Sequence, residues 1–558
     1  MIGGRASLRG TGRSPFYRGG QSGRGRGRGW GRGRGVRYLN RGSSSQRDGG
    51  GNDDIEEIGI PTDSSISVAV EGCCHGELDT IYERLQQHEA KSGRKVDLLI
   101  SCGDFQSLRN LADFHSLAVP PKYRALGSFY KYYSGEKTAP ILTIFVGGNH
   151  EASQALQELP YGGWVAPNIY YLATSIVRYQ GIRIGGISGI HKAHDFAVGR
   201  FERPPYDRSS LRSVYHVRNV DIYRMKCISD LDPIDIIVSH DWPQGIEQYG
   251  DTNSLLRRKP FFREEIAQNC LGSPGNIEIL RALKPKWWFA AHLHVKFHAT
   301  VKHGAIKAGN ASKDTVTSLI PSQTVGLTTQ EPVEAENEEE SKTRFLGSES
   351  VDRCNTNDLT DQMTRFLSLD KCLPRRHYMS ILHLPVKECK DNAKLEYDLE
   401  WLAVVRKTHS LTMATSERIQ VPPKPSYCQP LDLQWIEERL GKEIPLNFHR
   451  NVPSYVGPSH PLPHPLPPPY SIMGNRQTDE LLNVLGLVHI TTVPFLESSE
   501  RIKSSISNET DIREVGKGSD SGIFFSASDQ SDENAIDLDD ECGEDLEAEP
   551  MKRPRTGS

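Results

Sequence analysis

Val68-Ala69-Val70-Glu71-Gly72-Cys73-Cys74-His75-Gly76 is the stretch on which the fold turns. Residues 66–70 alternate small and β-branched side chains, which predicts a strand. Gly72 and Gly76 let the chain turn sharply beyond it. Cys73 and His75 stand two apart, so in an extended loop they face one side, while Cys74 alternates away and is expected to pack inward. Thiolate and imidazole are both ligands for zinc or iron. One such loop is a weak signal. Its weight comes from repetition, because a strand ending in a polar ligand recurs four times downstream.

Residues 96–100 form a predicted strand that ends in Cys102-Gly103-Asp104, and 141–146 another that ends in Gly147-Gly148-Asn149-His150-Glu151. Residues 234–238 run into Ser239-His240-Asp241, and 287–291 into His292-Leu293-His294. A further strand covers 182–187. Leu78, Ile81, Tyr82 and Leu85 fall at helical spacing, which predicts an amphipathic helix over 77–90. Strands alternating with helices define an α/β domain whose ligands lie beyond strand carboxyl ends, where open sheets build their sites.

Outward from this core the composition changes. The chain has 558 residues, with only 36% hydrophobic, and its net charge of −4 hides a polarity. Residues 1–62 form a Gly- and Arg-rich arm centred on Arg24-Gly25-Arg26-Gly27-Arg28-Gly29, read as disordered and suited to non-specific RNA contacts. The α/β domain that carries these strand ends spans 63–301. Residues 302–361 are polar and read as a disordered linker. Residues 362–487 regain apolar content and are expected to form a smaller C-terminal α+β domain packed on the first. Within it, Leu395 to Leu402 alternates like a strand, Leu433, Ile436 and Leu440 mark a helix, and Pro461–Pro469 an extended segment. Residues 488–558 read as a disordered acidic tail, whose Lys552-Arg553-Pro554-Arg555 resembles a nuclear import signal. Ten irregularly spaced cysteines and the lack of a long apolar run point to a reducing compartment and no membrane partner.

Cys73, His75, Asp104, Asn149, His240, His292 and His294 are too many ligands for one tetrahedral ion. Asp104 can bridge two ions about 4 Å apart. Cys73, His75 and His294 then complete one, and Asn149, His240 and His292 the other. His150 adjoins a ligand without being needed as one, which suits a general acid. Residues 189–219 carry a basic and aromatic loop without apolar period. Its Lys192, His194, Arg200, Tyr206, Arg212, Tyr215, His216 and Arg218 are candidate substrate contacts, since Arg and Lys hold phosphates and Tyr stacks on unpaired bases. Lys122, Tyr123, Arg124, Tyr130, Tyr132 and Tyr133 form a second basic and aromatic patch.

The order Cys-x-His, Gly-Asp, Gly-Asn-His-Glu, His and His-x-His resembles the calcineurin-like metallophosphoesterases, with Cys73 where that superfamily usually has Asp. Residues 72–79 and 147–153, Leu159-Pro160-Tyr161-Gly162-Gly163-Trp164, Ser239-His240-Asp241-Trp242-Pro243 and 291–297 resemble the RNA lariat debranching enzymes more closely. The resemblance implies two mixed β-sheets packed face to face with flanking helices. It also implies hydrolysis of the 2′,5′-phosphodiester at the branch of an excised intron lariat, with loop 189–219 recognising the branched RNA. Two divalent ions, Fe2+, Zn2+ or Mn2+, are the expected cofactors, the thiolate favouring iron or zinc. Two other readings compete: a broader metallophosphatase or nucleotidase, and an RNA-binding protein on an inactive scaffold. The second is disfavoured because no candidate ligand is missing.

Overall fold

The computed structural model describes residues 55–304, 362–386, 393–457, 466–471 and 474–488. The expectations for residues 1–54, 305–361, 458–465 and 489–558 lie outside the described residues. No helix among those described is long and apolar enough to cross a membrane, and the cysteines described are all free.

Fourteen strands are described: β1 (Glu56–Ile58), β2 (Ser65–Glu71), β3 (Leu98–Ser101), β4 (Thr143–Phe145), β5 (Gly163–Ala166), β6 (Ile169–Tyr171), β7 (Ile176–Tyr179), β8 (Ile182–Ile187), β9 (Ile236–Ser239), β10 (Trp287–Ala290), β11 (Phe297–Lys302), β12 (Met363–Ser368), β13 (Met379–Pro385) and β14 (Leu395–Tyr397). They make two seven-stranded sheets, ordered β1-β13-β2-β3-β4-β6-β5 and β11-β12-β10-β9-β8-β7-β14. Both are mixed: β2, β3, β4 and β6 run parallel, as do β12, β10, β9 and β8, while β13, β5, β11, β7 and β14 each pair antiparallel with a neighbour.

Period-two alternation builds the layers. Ile66, Val68 and Val70 of β2 point into one buried cluster with Ile236 and Val238 of β9, Phe289 of β10 and Leu367 of β12, so the sheets pack face to face. Ala69, pointing the other way, joins Leu78, Ile81, Tyr82 and Leu85 of the helix Leu78–Ser92. That helix ends at Gly93, whose φ of 71° is the left-handed closure glycine supplies. Trp288 and Ala290 face a third cluster under the helices Pro274–Leu283, Leu399–Lys407 and Arg476–Leu485.

The structure alters the expected organisation in three places. The segment after residue 362 does not sit beside the first domain. β12 lies between β10 and β11, and β13 between β1 and β2, so both sheets are completed by it. β1 falls within the stretch 1–62 taken as a disordered arm; three residues are too few to show a period, and β13 supplies its partner. The alternation from Leu395 breaks at Asp398, whose carboxylate accepts from Trp401 N–H (2.9 Å) and caps the helix Leu399–Lys407. Propensity at a cap overrides the strand pattern there.

Candidate metal centre

Each candidate ligand follows the end of a parallel strand, and the chain must turn abruptly there. His75, Asp104, His292 and His294 accordingly take φ between 47° and 58°, a region few side chains adopt. Such conformations persist where the surroundings impose them, and they cluster at functional sites. Gly103 and Gly148 make the convergence possible. A β-carbon on Gly103 would lie 2.3 Å from His240 Nδ1, and one on Gly148 would lie 2.2 Å from Asp104 Oδ1.

Asp104 is the hub. Its Oδ2 lies 3.6 Å from His75 Nε2 and 3.5 Å from His150 Nδ1, and its Oδ1 lies 3.3 Å from His240 Nε2. The His150 backbone N–H donates to Oδ1 at 2.8 Å. His240 Nε2 is 3.1 Å from Asn149 Oδ1, and its Nδ1 lies 2.8 Å from the Cys102 carbonyl, to which it donates, leaving Nε2 as a lone-pair donor toward the site. His75 and His294 bring Nε2 atoms within 3.4 Å, and the His240 and His292 rings are 5.0 Å apart. Cys73, His75, Asp104 and His294 each offer an atom within 4.8 Å of the others'. Cys74 is buried on the opposite side, with Leu78 and Ile81.

The electrostatics fit a cation-binding site. Burial pushes the Asp104 carboxyl up, but His240, His150 and His75 outweigh it and hold it far below the usual range. Burial lowers His75 to about 4 and His292 to about 3, and His294 well below its ordinary value. These imidazoles are therefore neutral, as ligands must be. Burial first, then Asp104 and Glu71, push the Cys73 thiol well up, so an adjacent cation is what would make it a thiolate. Sulfur, imidazole nitrogen and carboxylate oxygen in one buried cluster are a donor set for divalent transition ions.

Glu151 is a functional residue the sequence reading quoted without assigning. Its carboxylate accepts from Phe105 N–H (2.7 Å), Gln106 N–H (2.8 Å) and Gly148 N–H (3.0 Å), tying the Asp104 loop to the Asn149 loop. Its signal was adjacency: an acid directly after Asn-His, completely buried.

The loop 189–219 is more self-contained than expected. Arg218 is buried, with its guanidinium on Glu202 (2.5 Å) and the carbonyls of Gly199, His216 and Ser213. His216 is buried with Nδ1 2.6 Å from Asp195, which also lies 3.2 Å from His194. These three side chains are close enough to share a cation, but the Asp195 carboxylate bonds both histidines and serves to fold the loop. Tyr206 donates to Gln157, Tyr215 is buried beside His216, and Arg200 pairs with Asp221 at 2.5 Å. Lys192 and Arg212 are half-buried, and His194 is exposed. Arg218 and His216 thus hold the loop together instead of presenting themselves to a ligand, beside a small apolar cluster of Ile190, Val214 and Tyr215. In the second patch Tyr130, Tyr132 and Tyr133 turn inward, and Lys122 and Tyr123 stack at the surface.

Comparison with known proteins finds matches over most of the chain. Residues 66–296 match the calcineurin-like phosphoesterase family, and residues 361–490 match the lariat debranching enzyme C-terminal domain. The chain is similar to the lariat debranching enzyme of Danio rerio, 46% identical over 435 residues that cover 76% of this chain and 66% of that one. It is also similar to lariat debranching enzyme A of Xenopus laevis (41% over 505 residues, 88% and 84%) and the lariat debranching enzyme of Schizosaccharomyces pombe (45% over 427 residues, 70% and 90%).

Proposed function

Because the chain belongs to the lariat debranching enzyme family of calcineurin-like phosphoesterases, and so is a phosphodiesterase acting on RNA lariats, we infer how its residues divide that work. The observation that carries the inference is Asp104, met by imidazoles from three separate loops within 3.6 Å. Its two oxygens face different partners, which suits a carboxylate shared by two ions. Cys73, His75 and His294 would hold one with it, and Asn149, His240 and His292 would hold the other. Divalent ions, when bound, supply Lewis acidity and a water acidified toward neutral pH. Fe2+, Zn2+ or Mn2+ would suit these donors, with sulfur at Cys73 favouring the softer iron or zinc.

His150 stands apart from the two ligand sets while its ring remains 5.6 Å from that of His75. Asp104 orients it through Nδ1, leaving Nε2 for a proton. It protonates the departing 2′ oxygen, and the phosphate stays on the 5′ side. Loop 189–219 shapes the flank where the rest of the branch lies. Intron RNA as substrate, together with residues 552–555, supports a nuclear site of action, and residues 1–54 support added non-specific RNA contacts.

The test compares a 2′,5′-branched oligonucleotide with a linear one of equal length. Only the branched RNA is expected to be cut. His150→Ala is expected to slow cleavage by about 10² or more while metal content stays unchanged. Equal cleavage of both RNAs would remove branch specificity, and an undiminished rate in the variant would remove His150.

A further inference from the structure

Beside Gly148, under the loop 189–219, lies a cavity of about 120 Å3. Three guanidinium groups line it, those of Arg200, Arg203 and Arg224. Among the described residues only Arg200 meets a carboxylate, that of Asp221, which also lines the cavity. Arg224 donates to neutral oxygens, Thr408 Oγ1 at 2.8 Å and the Thr408 carbonyl at 3.2 Å. Arg203 donates Nη1 to a backbone carbonyl at 2.7 Å, and its Nη2 is buried with no hydrogen-bond partner among the described residues. Glu151 also lines the cavity, but its carboxylate is committed to three backbone N–H groups. The wall is therefore cationic on balance, and one of its strongest donors is unsatisfied.

Burying a charged donor without a partner is costly, and folds tolerate it where a ligand completes the bond. A cavity only a little larger than this, about 150 Å3, admits a benzene ring, so a phosphodiester group fits. Guanidinium forks match its two free oxygens. The placement beside Gly148, next to Asn149, puts this cationic wall at the flank of the metal centre. A branch ribose carries phosphates on adjacent 2′ and 3′ carbons, so a second phosphate necessarily accompanies the scissile one.

We propose that this cavity is a second phosphate site, which takes a non-scissile phosphodiester of the branched RNA. The assignment to RNA rests on the debranching reading; the affinity for phosphate does not. A monoester has no second phosphate to place there, so the site favours branched RNA over small esters.

The full chain, freed of metal by chelation, is titrated with inorganic phosphate by calorimetry. Saturable binding is expected, weakened about tenfold or more in Arg203→Gln and Arg224→Gln. Arg257→Gln, at an exposed position of the helix Thr252–Arg258, is expected to bind as the parent does. No saturable binding, or equal binding by Arg203→Gln, overturns the site. Where Arg203→Gln does not melt cooperatively, Arg203→Lys decides: it keeps the charge, loses the fork, and is expected to bind phosphate more weakly. With the metal-loaded protein, the slope of log affinity for branched RNA against log salt is expected to fall by about one in Arg203→Gln. An unchanged slope overturns the RNA assignment. Cleavage of branched RNA by the parent protein separately tests the debranching reading, so either can fail alone.

Discussion

Gly148→Ala tests how tightly the two loops around Asp104 are fitted. Its β-carbon would stand 2.2 Å from Asp104 Oδ1, 2.6 Å from the Asp104 backbone nitrogen and 2.7 Å from His240 Nε2. Ordinary contact begins near 3.4 Å, so the Asp104 carboxylate and the Gly148 backbone must separate by roughly 1 Å. Asp104 has little freedom, because its Oδ1 accepts from His150 N–H and both oxygens face imidazoles. Displacing a reacting group by about 1 Å costs on the order of 10² in rate, and overpacking a filled site costs about 1–3 kcal/mol in stability. Gly147→Ala is the internal control. There the nearest atom to the new β-carbon is Leu156 Cδ1 at 3.1 Å, the movable end of a flexible side chain. Rates on a branched oligonucleotide and melting curves should be measured for both. Gly148→Ala is expected to lose about 10² in kcat/KM, and Gly147→Ala to stay within about threefold. If Gly148→Ala cleaves as well as Gly147→Ala with an unchanged Tm, the close fit around Asp104 is wrong.

Three further perturbations follow from the same structure. Glu151→Gln replaces an acceptor of three backbone N–H bonds with a group that turns an NH2 toward at least one of them. A loss of about 2–3 kcal/mol and a marked fall in kcat are expected from denaturant titration and rate measurements; unchanged stability would refute the clamp. Asp398→Asn removes the charge that accepts from Arg183 Nε (2.7 Å), Arg183 Nη2 (2.8 Å) and Arg178 Nε (2.9 Å) while keeping a capping oxygen. Burial raises the Asp398 carboxyl, but the Arg183 hydrogen bonds and the charges of Arg183 and Arg178 outweigh it and depress it. Its stabilisation is therefore present above the unfolded pKa of about 3.9 and is lost as pH falls through the folded one. Urea titration should show a loss of about 3 kcal/mol at pH 7 that shrinks on acidification below about pH 4; a loss that grows there would reverse the sign. Cys73→Asp exchanges a soft ligand for a hard one, and reconstitution should shift the preference from Zn2+ toward Mn2+. An unchanged metal order would take the sulfur out of the ligand set.

The strands that carry ligands were legible because each is a short apolar run closed by a polar turn. Their bounds agree with those expected to within two residues, and β8, which carries no ligand, spans the residues expected of it. The helix Leu78–Ser92 was legible from four apolar residues, all now buried. What could not be read was pairing between distant segments. Nothing local in Met363–Ser368 says that it inserts beside Trp287–Ala290, because the residues that choose a strand's neighbour lie in the other strand. The loop 189–219 failed for the opposite reason. Its basic residues were legible as charges, but Arg218 and His216 meet their acids, Glu202 and Asp195, only when the loop folds back on itself.

The two kinds of legibility explain why the site was easier to read than the architecture around it. A ligand's chemical type is a property of one residue, and its place after a strand is a property of about ten. Four of the hub residues also carry backbone strain that their neighbours must sustain: His75, Asp104, His292 and His294 all have positive φ. Glycine would relieve that strain but would remove the imidazole or carboxylate. At these four positions the costly conformation is kept together with a metal-binding side chain, while Gly103 and Gly148 occupy adjoining positions that demand space and no chemistry. Strained polar residues alternating with obligatory glycines at strand ends are thus themselves a sign that the convergence on Asp104 serves chemistry and not packing alone.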